Sequence, residues 1–344
     1  MSYSNSDTTS NAGLSGARGL RDARGRRITY LRVSLTDRCN FRCLYCMPPE
    51  GIRKMDHAEF LPLEGLAETV RVFVEDLGIE KVRVTGGEPL VRRGAIAFLE
   101  RVGTIARLRD FALTTNGYFL DDTAAAIRAA GVKRLNVSLD TLQPERFARM
   151  TGVDGLERVL AGLEAARQAG FESLKLNAVM MRENIDEAGA ILRFGMERGI
   201  EVRFIELMPS HHDVVDQFIP AAEIRARLSR EFTLEAEGCG GPGEGAGCAA
   251  KRYRVLTGVS AGYRCGFIAP ITEPFCLDCN RVRLRGDGRL LPCLSAEQWI
   301  DLKPFVLPSL QREALAVFVR RELGASKAGI PHARRIQSMW RIGG

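Results

Sequence analysis

Residues 28–46 read Ile28-Thr29-Tyr30-Leu31-Arg32-Val33-Ser34-Leu35-Thr36-Asp37-Arg38-Cys39-Asn40-Phe41-Arg42-Cys43-Leu44-Tyr45-Cys46, a strand-like alternation that runs straight into three cysteines. Alternate apolar positions at Leu31, Val33 and Leu35 give the period of a β-strand with two unlike faces. The C-x3-C-x2-C run then offers three thiolates in one loop. Thiolates suit iron–sulfur clusters and zinc alike, but structural zinc completes a tetrahedron with a fourth protein ligand. A three-cysteine loop predicts a cluster with one open iron. Spacing alone leaves open a zinc site completed by His57.

Beyond this loop the chain repeats a strand-then-helix rhythm. Runs rich in branched residues at Lys81–Thr85, Asp110–Thr115, Lys133–Leu139, Ser173–Met180 and Glu201–Met208 alternate with amphipathic stretches such as Leu63–Leu77, Asp121–Ala130 and Gly155–Ala169. With Ile28–Leu35 these make six units, which predicts a parallel sheet with right-handed crossovers, open and doubly wound or a partial barrel. The strand positions sort by chemistry. Val82, Val84, Val137, Leu139, Leu174, Leu176 and Ala178 share the apolar parity; Arg32, Ser34, Lys81, Arg83, Thr85, Asn136, Ser138, Asp140, Ser173, Lys175 and Asn177 share the polar one. Parallel sheets covered by helices read apolar on both faces, so a polar, cationic face predicts a barrel-like lumen around an anionic ligand. A strand with one wet face is the plainer alternative.

The length of 344 residues fits about two domains with a large core. No stretch approaches the roughly 20 apolar residues of a membrane span. Residues 1–25 are expected to be a flexible tail. Nine cysteines without a secretory signal point to metal ligation in a reducing cytoplasm rather than to disulfides. A net charge of +7 admits nucleic acid, a membrane surface or a small polyanion, but no nucleic-acid motif is present.

Near Phe232 the rhythm stops. The Gly-rich run Gly238–Cys248 lacks the Gly-Lys-Ser/Thr ending of a phosphate loop and reads as a surface loop with incidental thiols Cys239 and Cys248. Pro308–Leu323 reads as a helix. Thr85-Gly86-Gly87-Glu88-Pro89 follows a strand, where bare backbone approaches a ligand closely. A second set, Cys276-Leu277-Asp278-Cys279-Asn280-Arg281-Val282-Arg283 followed by Cys293, could hold a cluster, or zinc with Cys265 as fourth ligand.

Taken together, C-x3-C-x2-C with Tyr45 before its last cysteine, the Gly-Gly-Glu-Pro turn, C-x2-C-N-R-x-R, Cys293 and a terminal Gly-Gly resemble the radical S-adenosylmethionine enzymes. Within them they resemble the GTP 3′,8-cyclase family, which opens molybdenum-cofactor biosynthesis, from about Arg26 to Gly344. The resemblance implies an α/β fold: a partial (β/α)6 open barrel over 26–231, then a C-terminal extension, 232–344, carrying a second iron–sulfur cluster. It implies two [4Fe-4S] clusters, on Cys39, Cys43 and Cys46 and on Cys276, Cys279 and Cys293, with S-adenosylmethionine chelated at the first. By the same resemblance Tyr45, Gly87, Ser138 and Met208 contact S-adenosylmethionine. Arg32, Arg83, Thr114, Lys175, Arg281, Val282 and Arg283 contact GTP, with strand register deciding between Thr114 and Thr115. Gly343 and Gly344 would enter the active site.

The implied partners are GTP, an electron donor such as flavodoxin or ferredoxin, the next pathway enzyme, cyclic pyranopterin monophosphate synthase, and a second copy in a homodimer. Nucleic acid and membrane are not expected. Two rivals share some of these features: a radical enzyme that modifies peptides with an auxiliary cluster, and a non-catalytic zinc-structured binding protein.

Overall fold

The computed structural model describes residues 19–48, 51, 53–209, 212–239, 248–256, 261–296 and 298–326. Short strands β1 (Leu20–Arg21) and β2 (Arg27–Ile28) form an antiparallel ribbon. Then β3 (Tyr30–Ser34), β4 (Lys81–Thr85), β5 (Asp110–Thr115), β6 (Arg134–Ser138), β7 (Ser173–Met180) and β8 (Glu201–Glu206) pair in parallel, each with the next. The helices between them are α1 (Leu63–Glu75), α2 (Ala95–Gly103), α3 (Leu120–Ala129), α4 (Pro144–Thr151), α5 (Leu156–Gln168) and α6 (Ala188–Arg198), with α7 (Ala221–Leu228) after β8. The sheet is an open, partial barrel rather than a closed one.

Leu31, Val33, Val82, Val84, Leu113, Leu135, Val137, Leu176, Ala178 and Val202 are fully buried and join the helices in one core with Val70, Phe73, Phe98 and Ile191. Each large side chain withdrawn from water contributes about 1.5–3 kcal/mol. This apolar parity faces the helices, so the intervening residues face inward, as the alternation predicts.

The C-terminal region does not stand apart as a separate unit. After β9 (Leu234–Cys239) and β10 (Lys251–Val255), β11 (Arg264–Ile268) pairs in parallel with β8. At the far side β12 (Arg281–Arg285) pairs in parallel with β3, followed by β13 (Arg289–Leu291) and β14 (Ile300–Asp301). Both free edges of the six-stranded arc are thereby extended into a sheet of twelve strands. Unpaired strand edges are exposed hydrogen-bonding surfaces, and this arrangement satisfies both with one segment of chain.

Two expectations are corrected. The supposed N-terminal tail is structured from Gly19 onward: Leu20 is buried and its amide donates to Leu77 O at 3.1 Å. The helix expected over 308–323 is α9 (Arg312–Ala325), preceded by the one-turn α8 (Lys303–Val306). Pro308 reads as a helix start because proline suits a first turn. Here it lies in the connection between the two helices, which Phe305 and Phe318 lock with ring centroids 4.6 Å apart. The Gly-rich loop lies outside the described residues from 240 to 247.

Glu206, at the end of β8 and 1 % exposed, ties the arc to the C-terminal region. Its carboxylate accepts from Ala221 N at 2.7 Å, from Ile271 N and Thr272 N at 3.0 Å each, and from the Thr272 hydroxyl. Each buried donor left without a partner costs about 1–3 kcal/mol. Replacing Glu206 with Ala should therefore lower unfolding stability in urea by about 3 kcal/mol or more, whereas a loss below about 0.5 kcal/mol would show that the clamp is idle.

Candidate active site

The inward-facing residues enclose one cavity of about 1470 Å³. Cys39, Cys43 and Cys46 open into it from the loop after β3; Cys276 and Cys279 open into it from the segment before β12, and Cys293 from just after the strand Arg289–Leu291 that pairs with β12. Because β12 pairs directly with β3, the two cysteine sets reach one chamber although more than two hundred residues separate them in sequence.

The first loop is held by backbone. Arg42 N donates to Thr151 O at 2.7 Å and Leu44 N to Met150 O at 3.0 Å, tying it to the end of α4. The Gly-Gly-Glu-Pro turn lies against Thr36–Arg38, just before Cys39: Gly87 N donates to Thr36 O at 2.6 Å and Glu88 N to Arg38 O at 2.8 Å. A Cβ on Gly87 would fall well inside contact distance of Arg38 O, so the bare backbone is needed for this approach. Glu88 is fully buried and accepts from the Thr115 hydroxyl at 2.8 Å and Asn116 N at 2.7 Å. Burial lifts its carboxyl to about 7.

Cys39 Sγ accepts from Phe41 N at 3.3 Å and from Asn116 Nδ2 at 3.9 Å, donors of the kind that support a thiolate. Without metal, burial pushes the Cys39 thiol up to about 11, Cys46 to about 12, and Cys43 well above its ordinary value. Ligation, which deprotonates thiols, removes that penalty. Among the described residues no three of His, Cys, Asp or Glu gather tightly enough to hold a single ion. Cys39, Cys43 and Cys46 lie close enough in one loop to feel one another's charge, an all-sulfur donor set that suits an iron–sulfur cluster.

The zinc alternatives fail on position. His57 is exposed on a 3-10 turn and does not line the cavity. Cys265 is fully buried on β11, beside β8, at the opposite side of the arc from β12.

Tyr45, Gly87, Ser138 and Met208 all line the chamber. The Tyr45 hydroxyl donates to Asp140 Oδ2 at 2.8 Å while Asp140 Oδ1 accepts from Val179 N at 2.8 Å. Burial raises Asp140 to about 6 and, together with Asp140, lifts the Tyr45 phenol well above its ordinary value.

Sheet register stacks the cations in rungs. Arg281, Tyr30 and Lys81 are neighbours across β12, β3 and β4; Arg283, Arg32 and Arg83 form the next rung. The Lys81, Arg83 and Arg281 charges lie 5.4, 5.8 and 5.6 Å from the Tyr30 ring centre. Burial pushes the Tyr30 phenol up, but Arg83, Arg32, Arg281 and Lys81 outweigh it and hold it below its usual value. Burial and neighbouring guanidinium groups also lower Arg32, and bring Arg283 down to about 10. Lys81 also pairs with Asp110 at 2.8 Å, and a chamber lined by this many cations fits an anionic ligand. Arg83 Nε, buried and without a hydrogen-bond partner, is a donor that such a ligand would satisfy.

Both threonines line the chamber: Thr114 shares a rung with Asn136 and Lys175, whereas the Thr115 hydroxyl donates to Glu88. Val282 lies on the opposite parity, 1 % exposed in the core, and brings no side chain to the chamber. Gly343 and Gly344 lie outside the described residues.

Several lining residues carry no motif. Glu201 bridges Arg203 at 2.8 Å, Arg252 at 3.2 Å and Lys175 at 3.3 Å. Tyr30 and Arg203 could have been found by extending the polar parity along β3 and β8. Arg252 had no such signal, because β10 reaches the site only through β11.

Adding the forbidden Cβ gives a test of the contact between turn and loop. Gly87→Ala should lose the first cluster and keep the second, so that anaerobically reconstituted protein holds about half the wild-type iron. Gly86→Ala, whose Cβ meets Thr36 O at 3.0 Å, should be milder. Full iron content in Gly87→Ala would show that the loop tolerates displacement.

Family comparisons agree with this geometry. Residues 33–195 match the radical SAM superfamily and residues 200–329 match the Molybdenum Cofactor Synthesis C family. The chain is 42% identical over 336 residues to a GTP 3′,8-cyclase of Geobacter sulfurreducens, covering 94% of this chain and 99% of that one. It is 44% identical over 289 residues to a GTP 3′,8-cyclase of Ectopseudomonas mendocina, covering 82% of this chain and 84% of the relative. Among solved structures, Streptococcus suis SuiB bound to precursor peptide SuiA superposes with a TM-score of 0.59 at 14% identity, covering 84% of this chain and 66% of SuiB, a likeness of fold alone. With both halves matched and the relatives aligned over most of its length, the chain belongs to the GTP 3′,8-cyclase family of radical S-adenosylmethionine enzymes.

Proposed function

We infer that this chain is a GTP 3′,8-cyclase, which takes GTP to (8S)-3′,8-cyclo-7,8-dihydroguanosine 5′-triphosphate using two [4Fe-4S] clusters and S-adenosylmethionine. The observation that carries the reading is that both cysteine triplets open into one chamber floored by arginines. When bound, the first cluster and S-adenosylmethionine supply a 5′-deoxyadenosyl radical, and the overall reaction moves the 3′ hydrogen of GTP and joins the sugar to guanine C8.

The residues divide this work by position. Cys39, Cys43 and Cys46 would hold the first cluster, with Tyr45, Gly87, Ser138 and Met208 around S-adenosylmethionine. Cys276, Cys279 and Cys293 would hold the second cluster, close to the guanine. Arg32, Arg83, Thr114, Lys175, Arg281 and Arg283 would grip the triphosphate and ribose; a planar guanidinium fork matches phosphate oxygens better than a point charge does.

Gly343 and Gly344 are assigned to this site from the family pattern. The reading also calls for a low-potential electron donor, such as flavodoxin or ferredoxin, and for a next enzyme, cyclic pyranopterin monophosphate synthase, to take the unstable product. A cytoplasmic setting and a homodimer complete the proposal. No helix among the described residues is long and apolar enough to cross a membrane.

The test is anaerobic incubation with GTP, S-adenosylmethionine and dithionite, following 5′-deoxyadenosine and the cyclised nucleotide. Cys39→Ala should abolish both products. Cys276→Ala should lose cyclisation while keeping the first cluster's spectrum, and loss of both spectra together would mark a folding role. Arg283→Ala should raise KM for GTP by about ten- to a hundredfold, as befits a charged hydrogen bond of about 1.5–3 kcal/mol. An unchanged KM would remove it from the substrate site.

A further inference from the structure

The β1–β2 ribbon delivers one cation to the second cysteine set. Asp22, buried to 7 % exposure, closes a tight turn: Arg24 N and Arg26 N both donate to its Oδ1 at 3.0 Å, and Gly25 takes a φ of +74°. The same carboxylate grips the Arg26 side chain through Oδ2, at 2.7 Å from Nε and 2.5 Å from Nη2. Arg26 Nη1 then donates to the backbone carbonyl of Cys276 at 2.5 Å, across 250 residues of sequence. Arg26 lines the chamber alongside Cys276, Cys279 and Cys293. The guanidinium is thus fixed at the backbone of one ligand of this set and in the chamber that holds the other two.

We propose that Arg26 is a positioning residue for the second cluster: clamped by Asp22, it anchors the Cys276–Cys279 loop and holds a fixed positive charge against its thiolates. A nearby cation favours thiolate ligation, and net charge and hydrogen bonding around the sulfurs set a cluster's reduction potential. An arginine suits this better than a lysine because its planar fork serves the carboxylate and the carbonyl together. The proposal rests on Cys276, Cys279 and Cys293 binding the second cluster.

The test uses the full-length chain with Cys39, Cys43 and Cys46 replaced by Ala, reconstituted anaerobically so that only the second site carries iron. If this parent holds no iron, the ligand assignment has failed. With the parent loaded, Arg26→Gln should shift the cluster's midpoint potential, read by EPR redox titration, to a more negative value and speed iron release to a chelator about tenfold. Arg26→Lys should keep the potential close to that of the parent. If Arg26→Gln fails to load, Asp22→Asn decides, because it keeps the charge: a loaded Asp22→Asn variant supports the role, and an empty one reduces the ribbon to scaffolding. Unchanged potential and release in Arg26→Gln, or an equal shift in Arg26→Lys and Arg26→Gln, would overturn the proposal.

Discussion

The structure depends on the separation of chemistry between the two faces of β3 to β8. Alternate residues must point to opposite faces of a strand, so placing Leu31, Val33, Val82 and Val84 against the helices commits Arg32, Lys81 and Arg83 to the other side. A flat sheet with helices on both faces would take all those cations out of water, at a cost of several kcal/mol for a charge left uncompensated. Curving the sheet around a chamber lets the same side chains face a ligand. The partial barrel and the anionic substrate class thus follow from one constraint.

The second half of the molecule uses the same logic at the edges. β12 lies beside β3 in register, so Arg281 and Arg283 extend the rungs begun by Lys81 and Arg83. Pairing also places the second cysteine set near the first. The Gly-Gly-Glu-Pro turn makes a complementary contribution: it packs against the backbone leading to Cys39, so it shapes the cluster loop as well as lining the chamber. Glu88, buried beneath it, ties the turn to the end of β5 through Thr115 and Asn116.

Much of this was legible in the residues. The strands at Lys81–Thr85, Asp110–Thr115 and Ser173–Met180 have the bounds that branched-residue runs predict, and strand parity alone selected Arg32, Arg83 and Lys175 for the lumen. Local pattern could not show pairings between distant segments. Nothing near Arg26 announces its bond to Cys276, nor did composition reveal that Leu20 is core rather than tail. Motif adjacency implies a contact at Val282, whereas strand parity turns its side chain into the core.

The central claim is that a radical made at one cysteine triplet acts on GTP held in the same chamber. It is tested most directly by incubating the reconstituted enzyme with GTP deuterated at C3′ and measuring the mass of the 5′-deoxyadenosine released. Deuterium is expected in the deoxyadenosine, formed together with the cyclised nucleotide. Unlabelled deoxyadenosine accompanying the cyclised product would contradict it.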